Sequence, residues 1–143
     1  DAALVDEYEW VNITSTPRLE GVILYDSGSK LLIIDQANHL LRSYHIGDAT
    51  NSVLAGGQEF SDGLTPGTFA SAEFFRPHTM AKAQTVNQVV VTSGCTGGVV
   101  AKVDLDSESV SFVAGIAPEG GVIDAQGEDA RFEYISSSAL VGA

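Results

Sequence analysis

The sequence predicts an all-β fold of short antiparallel strands, arranged as a sandwich or as a propeller. Three observations predict it. Short apolar runs rich in branched residues recur along the chain, and Gly- and Asp-rich turns separate them. No stretch sustains the apolar period of a helix, so helices are expected to be scarce, with one turn near Ala70 to Phe75. The chain also resembles itself. Val53-Leu54-Ala55-Gly56 returns as Phe112-Val113-Ala114-Gly115, and at nearly the same offset Ala72-Glu73-Phe74 returns as Ala130-Arg131-Phe132. Asp62-Gly63 is answered by Asp124-Ala125. Self-similarity at one spacing marks stacked structural units.

Each unit reads as four strands. In the first they are Gly21 to Tyr25, Leu31 to Ile34, Leu40 to Ile46 and Ser52 to Ala55; in the second, Thr79 to Ala83, Gln88 to Thr92, Val99 to Leu105 and Ser109 to Ala114. Leu31 to Ile34 is too short for a helix and apolar enough for a buried strand. Leu40 to Ile46 alternates loosely, as a strand nearer solvent does. Asp26-Ser27-Gly28, Asp35 to Asn38, Gly47-Asp48, Gly94 to Gly98 and Asp104 to Glu108 supply the turns, because Asp and Asn bond their own backbone and Gly tolerates positive φ. The boundaries expected are 1–16 for an acidic segment with one strand of an incomplete unit, 17–75 and 76–134 for two full units with their following loops, and 135–143 for the first strand of a third.

The segment Leu31-Leu32-Ile33-Ile34-Asp35-Gln36-Ala37-Asn38-His39-Leu40-Leu41-Arg42 carries a family resemblance. An apolar strand ending in Asp, then two residues, then Asn-His-Leu and an Arg-containing strand, resembles the NHL repeat, one blade of a β-propeller. The resemblance implies a partial β-propeller of four-stranded antiparallel blades, with the β-sandwich as the structural alternative. It also implies that the long connections Gly57 to Pro77 and Ile116 to Tyr134 run between blades. There Ala72 lets the backbone approach closely and Phe74 fills the wedge between twisted sheets. The second copy departs from the pattern with Ile135 where Pro77 stands in the first. Two blades and two partial ones cannot close a ring of four to eight. The chain is therefore expected to be a piece of a longer protein, or to self-associate through its open blade edges into a homo-oligomer.

Composition narrows the function classes. The chain has 143 residues, 44% of them hydrophobic, enough for a core without disulfides or metal. No apolar run approaches the roughly 18 residues of a membrane span, so no membrane partner is expected. The absence of an initiator Met and of a signal-peptide pattern suggests a processed form or an excised piece. A single cysteine, Cys95, makes no internal disulfide. Seven Lys and Arg against 19 Asp and Glu give a formal charge of −12, which repels phosphate backbones. No nucleic-acid partner is expected, although some animal NHL proteins bind RNA. Asn12-Ile13-Thr14 is a glycosylation sequon, and Asn12 is the one pointer to a secretory or extracellular setting.

Few residues carry chemistry. Of His39, His45 and His78, only His78, at the start of an inner strand, is placed to face a channel, which makes it a weak metal or acid–base candidate for Zn²⁺ or Ca²⁺. His39 belongs to the blade signature and is expected to pack and bond at the turn. Asp26, Asp35, Asp62 and Asp124 are expected to close turns, and Ser93 in place of Asp35 argues against a symmetric metal ring. Cys95 sits between two strands with no helix after it, unlike a nucleophile elbow. Trp10, Phe69 and Phe75 are the aromatic candidates for an interaction surface. The resulting expectation is a non-enzymatic propeller module that binds a protein partner and carries no cofactor. The alternative is a fragment of a metal-dependent propeller lyase or hydrolase with a channel site near His78.

Overall fold

A computed structural model describes residues 18–56, 64–83, 86–94, 97–115 and 121–139. Trp10, Asn12, Asp62 and Cys95 lie outside the described residues, as does the strand expected at Trp10 to Ile13.

The first sheet is a four-stranded antiparallel meander of β1 (Leu19–Tyr25), β2 (Lys30–Asp35), β3 (Leu40–His45) and β4 (Thr50–Ala55), in that spatial order. The second holds β5 (Gly67–Thr68), β6 (Thr79–Lys82), β7 (Gln88–Ser93), β8 (Val99–Asp104) and β9 (Ser109–Ala114), in the order β5-β9-β8-β7-β6. Among the described residues, helix is confined to two single 3-10 turns, Asp26–Gly28 and Gly127–Asp129. All eight expected strands form, with small shifts at their ends. The fifth strand of the second sheet lies outside the sequence expectation. The incoming connection hooks Gly67–Thr68 onto the outer edge at β9 before returning to the inner strand β6.

Neither sheet closes on itself, and the two approach each other through β1 and β6, the first strand of each meander. At Gly21 a Cβ would lie 3.5 Å from the Met80 Cε, and Lys82 Nζ donates to the Leu24 carbonyl at 3.4 Å. Two open antiparallel sheets packed in this way are consistent with adjoining blades of a partial propeller or with a sandwich, and we call the sheets blade 1 and blade 2.

The core fills the wedge between them. Leu32, Ile34, Leu41 and Ala55 from blade 1 face Val89, Val91, Ala101 and Val103 from blade 2, all at 0% exposure. Between them lie Ala72 and Phe74 of the connection, Phe74 also fully buried. A phenylalanine so enclosed contributes about 2–3 kcal/mol by transfer alone.

The repeat is carried into geometry. The first connection folds on itself through an antiparallel bridge between Thr65 and Glu73, and the second does the same one repeat later between Ile123 and Arg131. Each blade has a register shift between the second and third residues of its third strand, at Leu41/Arg42 and at Val100/Ala101. The bulge lets the outer strand turn inward to a glycine that touches the neighbouring turn. Gly56 (φ +124°) and Gly115 (φ +86°) are those glycines, and a Cβ on either would collide with the carbonyl oxygen of His39 or of Gly98. That close approach is why Ala-Gly recurs. The third-blade strand expected at Ser136 to Ala143 fares differently. Its described residues, 136–139, pair with no strand, although Ser138 Oγ lies 2.8 Å from Thr79 Oγ1.

Candidate functional site

The turn between β2 and β3 is built around a buried carboxylate. Asp35 is fully enclosed, and Asn38 Nδ2 donates to both of its oxygens at 2.9 Å, with the Asn38 backbone N–H at 3.3 Å. Arg42 Nε donates to Oδ2 at 2.8 Å, the Arg42 side chain being 12% exposed. A buried carboxylate is tolerable only when paired and hydrogen-bonded, and here it is. His39 takes the left-handed conformation (φ 62°) that ends the turn. Its Nδ1 accepts the Arg76 backbone N–H at 3.4 Å and its ring lies 5.1 Å from that of Phe75, so the histidine links blade 1 to the approach of blade 2.

The corresponding turn of blade 2 is made differently. Ser93 stands in the place of Asp35, Gly98 in that of His39 and Ala101 in that of Arg42. The Ser93 hydroxyl donates to the Phe75 carbonyl at 2.8 Å and accepts the Phe75 N–H at 3.1 Å. Gly98 N–H donates to the Phe132 carbonyl at 3.1 Å. The ion pair of blade 1 is absent from blade 2 as a unit, both members replaced together.

His78 precedes β6, its backbone N–H on the Thr92 carbonyl. Its Nε2 is 2.9 Å from the Tyr134 hydroxyl, and its Nδ1 is buried with no hydrogen-bond partner. Beside it, Thr79 Oγ1 reaches Thr92 Oγ1 at 2.9 Å and Ser138 Oγ at 2.8 Å. The partner of the imidazole is thus a phenol, next to a cluster of hydroxyls. Among the described residues no three His, Cys, Asp or Glu side chains gather as a metal site would require.

The remaining acids close turns. Asp48 Oδ1 accepts the Thr50 hydroxyl at 2.7 Å and its N–H at 3.1 Å, and pairs with His45 Nδ1 at 2.9 Å. Asp104 accepts the N–H groups of Asp106 and Ser107 and, at 2.8 Å, the Gln88 amide. The Thr50 hydroxyl holds the first carboxyl at a pKa of about 2, and the Ser107 N–H does the same for the second. Asp26 is lowered by its bond to Lys30 Nζ at 2.9 Å. Asp124 is exposed.

A groove runs along the outer rim between the blades. Leu54, Gly56, Thr68, Phe69, Ser107 and Glu108 border its volume of about 630 Å³. Phe69 is held there by its N–H on the Glu108 carbonyl at 2.9 Å. Of the aromatic candidates, Phe69 lines this groove, while Phe75 is half-buried against His39. Sequence reasoning missed the Arg42 ion pair and the groove. The first had a signal: Asp35 and Arg42 stand on adjoining strands across a short turn, and both are lost together in the second copy.

No family model matches the chain, and no curated protein does. Solved structures do. A structural-genomics protein of unknown function from Bacteroides thetaiotaomicron superposes with a TM-score of 0.74 at 22% identity, over 85% of this chain and 30% of that one. An auxiliary nutrient binding protein from the same organism gives 0.64 at 15% identity, over 82% of this chain and 31% of that one. Another from Bacteroides ovatus gives 0.53 at 19% identity, over 85% and 30%. The likeness is one of fold, and the chain spans less than a third of each.

Proposed function

We propose that this chain is part of an NHL-like propeller that works as a non-enzymatic binding scaffold, taking a protein segment in the groove between its blades. The groove is the observation that carries the reading. Its volume of about 630 Å³ is that of a site able to hold an anchoring side chain or a small ligand. Leu54 and Phe69 offer apolar floor, and Thr68, Ser107 and Glu108 offer hydrogen-bonding rim. With Glu108 at the edge of a chain of net charge −12, the favoured partner presents an aliphatic or aromatic anchor beside Lys or Arg. The blade signature supports a scaffold in a second way. Asp35, Asn38, His39 and Arg42 are all engaged in holding the turn and its neighbour, which leaves recognition to the surface between blades. Two of the similar structures are named as binding proteins, which agrees with binding as the use of this fold.

The reading is tested by selecting peptides from a random library against the chain. Selected sequences are expected to pair an apolar anchor with a basic residue. They are expected to lose at least tenfold in affinity on Phe69→Ala and on Glu108→Gln, with thermal unfolding of the Glu108→Gln protein unchanged. Binding indifferent to both substitutions would contradict the groove as the site.

A further inference from the structure

The outermost strands of the two blades are finished differently. In blade 2, β9 pairs with β8 on one side and takes Gly67–Thr68 on the other, antiparallel, at Val110 and Ser109. In blade 1 the equivalent strand is β4, and among the described residues it pairs with β3 alone. Thr50 to Val53 are exposed, Val53 at 53%. The strand reads Thr-Asn-Ser-Val-Leu-Ala, without the charges or proline that usually guard an edge left to solvent. Every second residue of such an edge turns its N–H and C=O away from the sheet, toward any extended chain that lies alongside.

This edge is also a wall of the groove. Val53, Leu54 and Gly56 line it from β4 and its end, and Thr68, Phe69 and Ala70 line it from the connection. The register shift in blade 1 pairs Leu41 with Ala55 and Arg42 with Val53, which leaves Leu54 outside the ladder and in the groove lining. The hook that finishes β9 depends on particular residues. Ser71 Oγ accepts the Thr68 N–H at 3.0 Å, and a Cβ on Gly67 would lie 2.5 Å from that oxygen. One repeat earlier the places of Gly67, Thr68 and Ser71 hold Glu9, Trp10 and Ile13. The residues that make the hook on β9 are therefore not repeated ahead of β4.

We propose that the protein segment taken by the groove binds in extended conformation, pairing through its backbone with the free edge of β4 as an added strand of blade 1. The inference rests on the groove reading and specifies the shape of what enters it. Backbone bonds to β4 supply attraction that any extended sequence can make, and the side chains on one face of the segment supply selection. Those side chains recur at every second residue. The apolar anchor that meets Leu54 and Phe69 and the basic residue that meets Glu108 therefore stand two apart in the partner, with no proline between them.

An N-methyl scan of peptides selected from a random library against the full chain tests it. Methylation of a backbone N–H is expected to cost at least tenfold in affinity at every second residue and less than threefold at the residues between. On adding peptide, hydrogen exchange is expected to slow at those β4 amides that face away from β3. A scan without alternation, in peptides whose binding still needs Phe69 and Glu108, would overturn the strand pairing and leave the groove reading standing. Binding indifferent to Phe69→Ala and Glu108→Gln, or a library that yields no binder, would end both together. Outward β4 amides already protected in the free chain would overturn the pairing as well, by assigning that edge to another segment of the chain or to a second copy.

Discussion

The two blades share a register and differ in what holds the turn between their second and third strands. Blade 1 buries a carboxylate and a guanidinium there, Asp35 and Arg42, with Asn38 completing the shell. Blade 2 has Ser93 and Ala101 at the same positions and satisfies the turn with one hydroxyl on the Phe75 backbone. Removing one partner of a buried pair costs several kcal/mol, whereas replacing both is often nearly neutral. The Asp35, Asn38 and Arg42 set is thus one way of closing this turn, and blade 2 closes it with a different set. The turns between third and fourth strands differ in the same spirit. In blade 1 the Asp stands within the turn, at Asp48 beside His45; in blade 2 it ends the strand, at Asp104, and bonds forward to Ser107. Both turns end on a non-glycine residue with positive φ, Ala49 (58°) and Glu108 (52°).

The sharpest contrast between the blades is in their wedges. Phe74→Ala is expected to cost about 3–5 kcal/mol in chemical denaturation, because the ring is fully enclosed by both sheets. Phe132→Ala, at the same position one repeat later and only half-buried, is expected to cost about 1–1.5 kcal/mol in the monomer. Equal losses at the two sites would show that both wedges are enclosed alike.

Smaller effects come from the turns between third and fourth strands. Ala49→Gly and Glu108→Gly each relieve a left-handed backbone and are expected to stabilise by about 0.5–1 kcal/mol, the strain removed exceeding the added chain entropy. Chemical denaturation checks it, and a loss of stability at both sites would show that the turns are unstrained. Acid should weaken both turns. Asp48 and Asp104 are held at a pKa of about 2 in the folded chain, below the ordinary value of 3.8, so the stability they contribute is present above that ordinary value and is lost as pH falls toward 2. Neither carboxylate is buried, so the effect is the smallest of the set. Unfolding midpoints of the Asp48→Asn/Asp104→Asn protein should fall less steeply over that interval than those of the parent. An identical slope would remove these carboxylates from the explanation.

Much of this fold was legible in the chain because each strand but one carries its own apolar pattern. Leu31 to Ile34 and Ser109 to Ala114 announce themselves through branched residues, and the Ala-Gly that follows each bulge repeats in letters as in geometry. Gly67–Thr68 does not: it is a strand only because the connection crosses the β9 edge, and two small residues hold no local signal of that. The buried ion pair was half legible, since a neighbour across a short turn can be counted out but its burial cannot. The groove was not legible at all, because Leu54 and Glu108 meet only through the packing of one blade on the other. His78 heads an inner strand, as its place in the repeat indicates, yet its partner, Tyr134, lies far along the chain.

A double-mutant cycle on Asp35 and Arg42 addresses the comparison most directly. Arg42→Ala should cost about 3 kcal/mol or more by leaving a buried carboxylate unpaired, and Asp35→Ser should cost a similar amount by stranding the guanidinium. The Asp35→Ser/Arg42→Ala protein carries the residues of blade 2 in blade 1. Its loss of stability is expected to fall short of the sum of the single changes by about 2 kcal/mol. Additive losses, with the double variant as weak as the two single changes combined, would contradict the view that the two blades close the same turn by interchangeable sets.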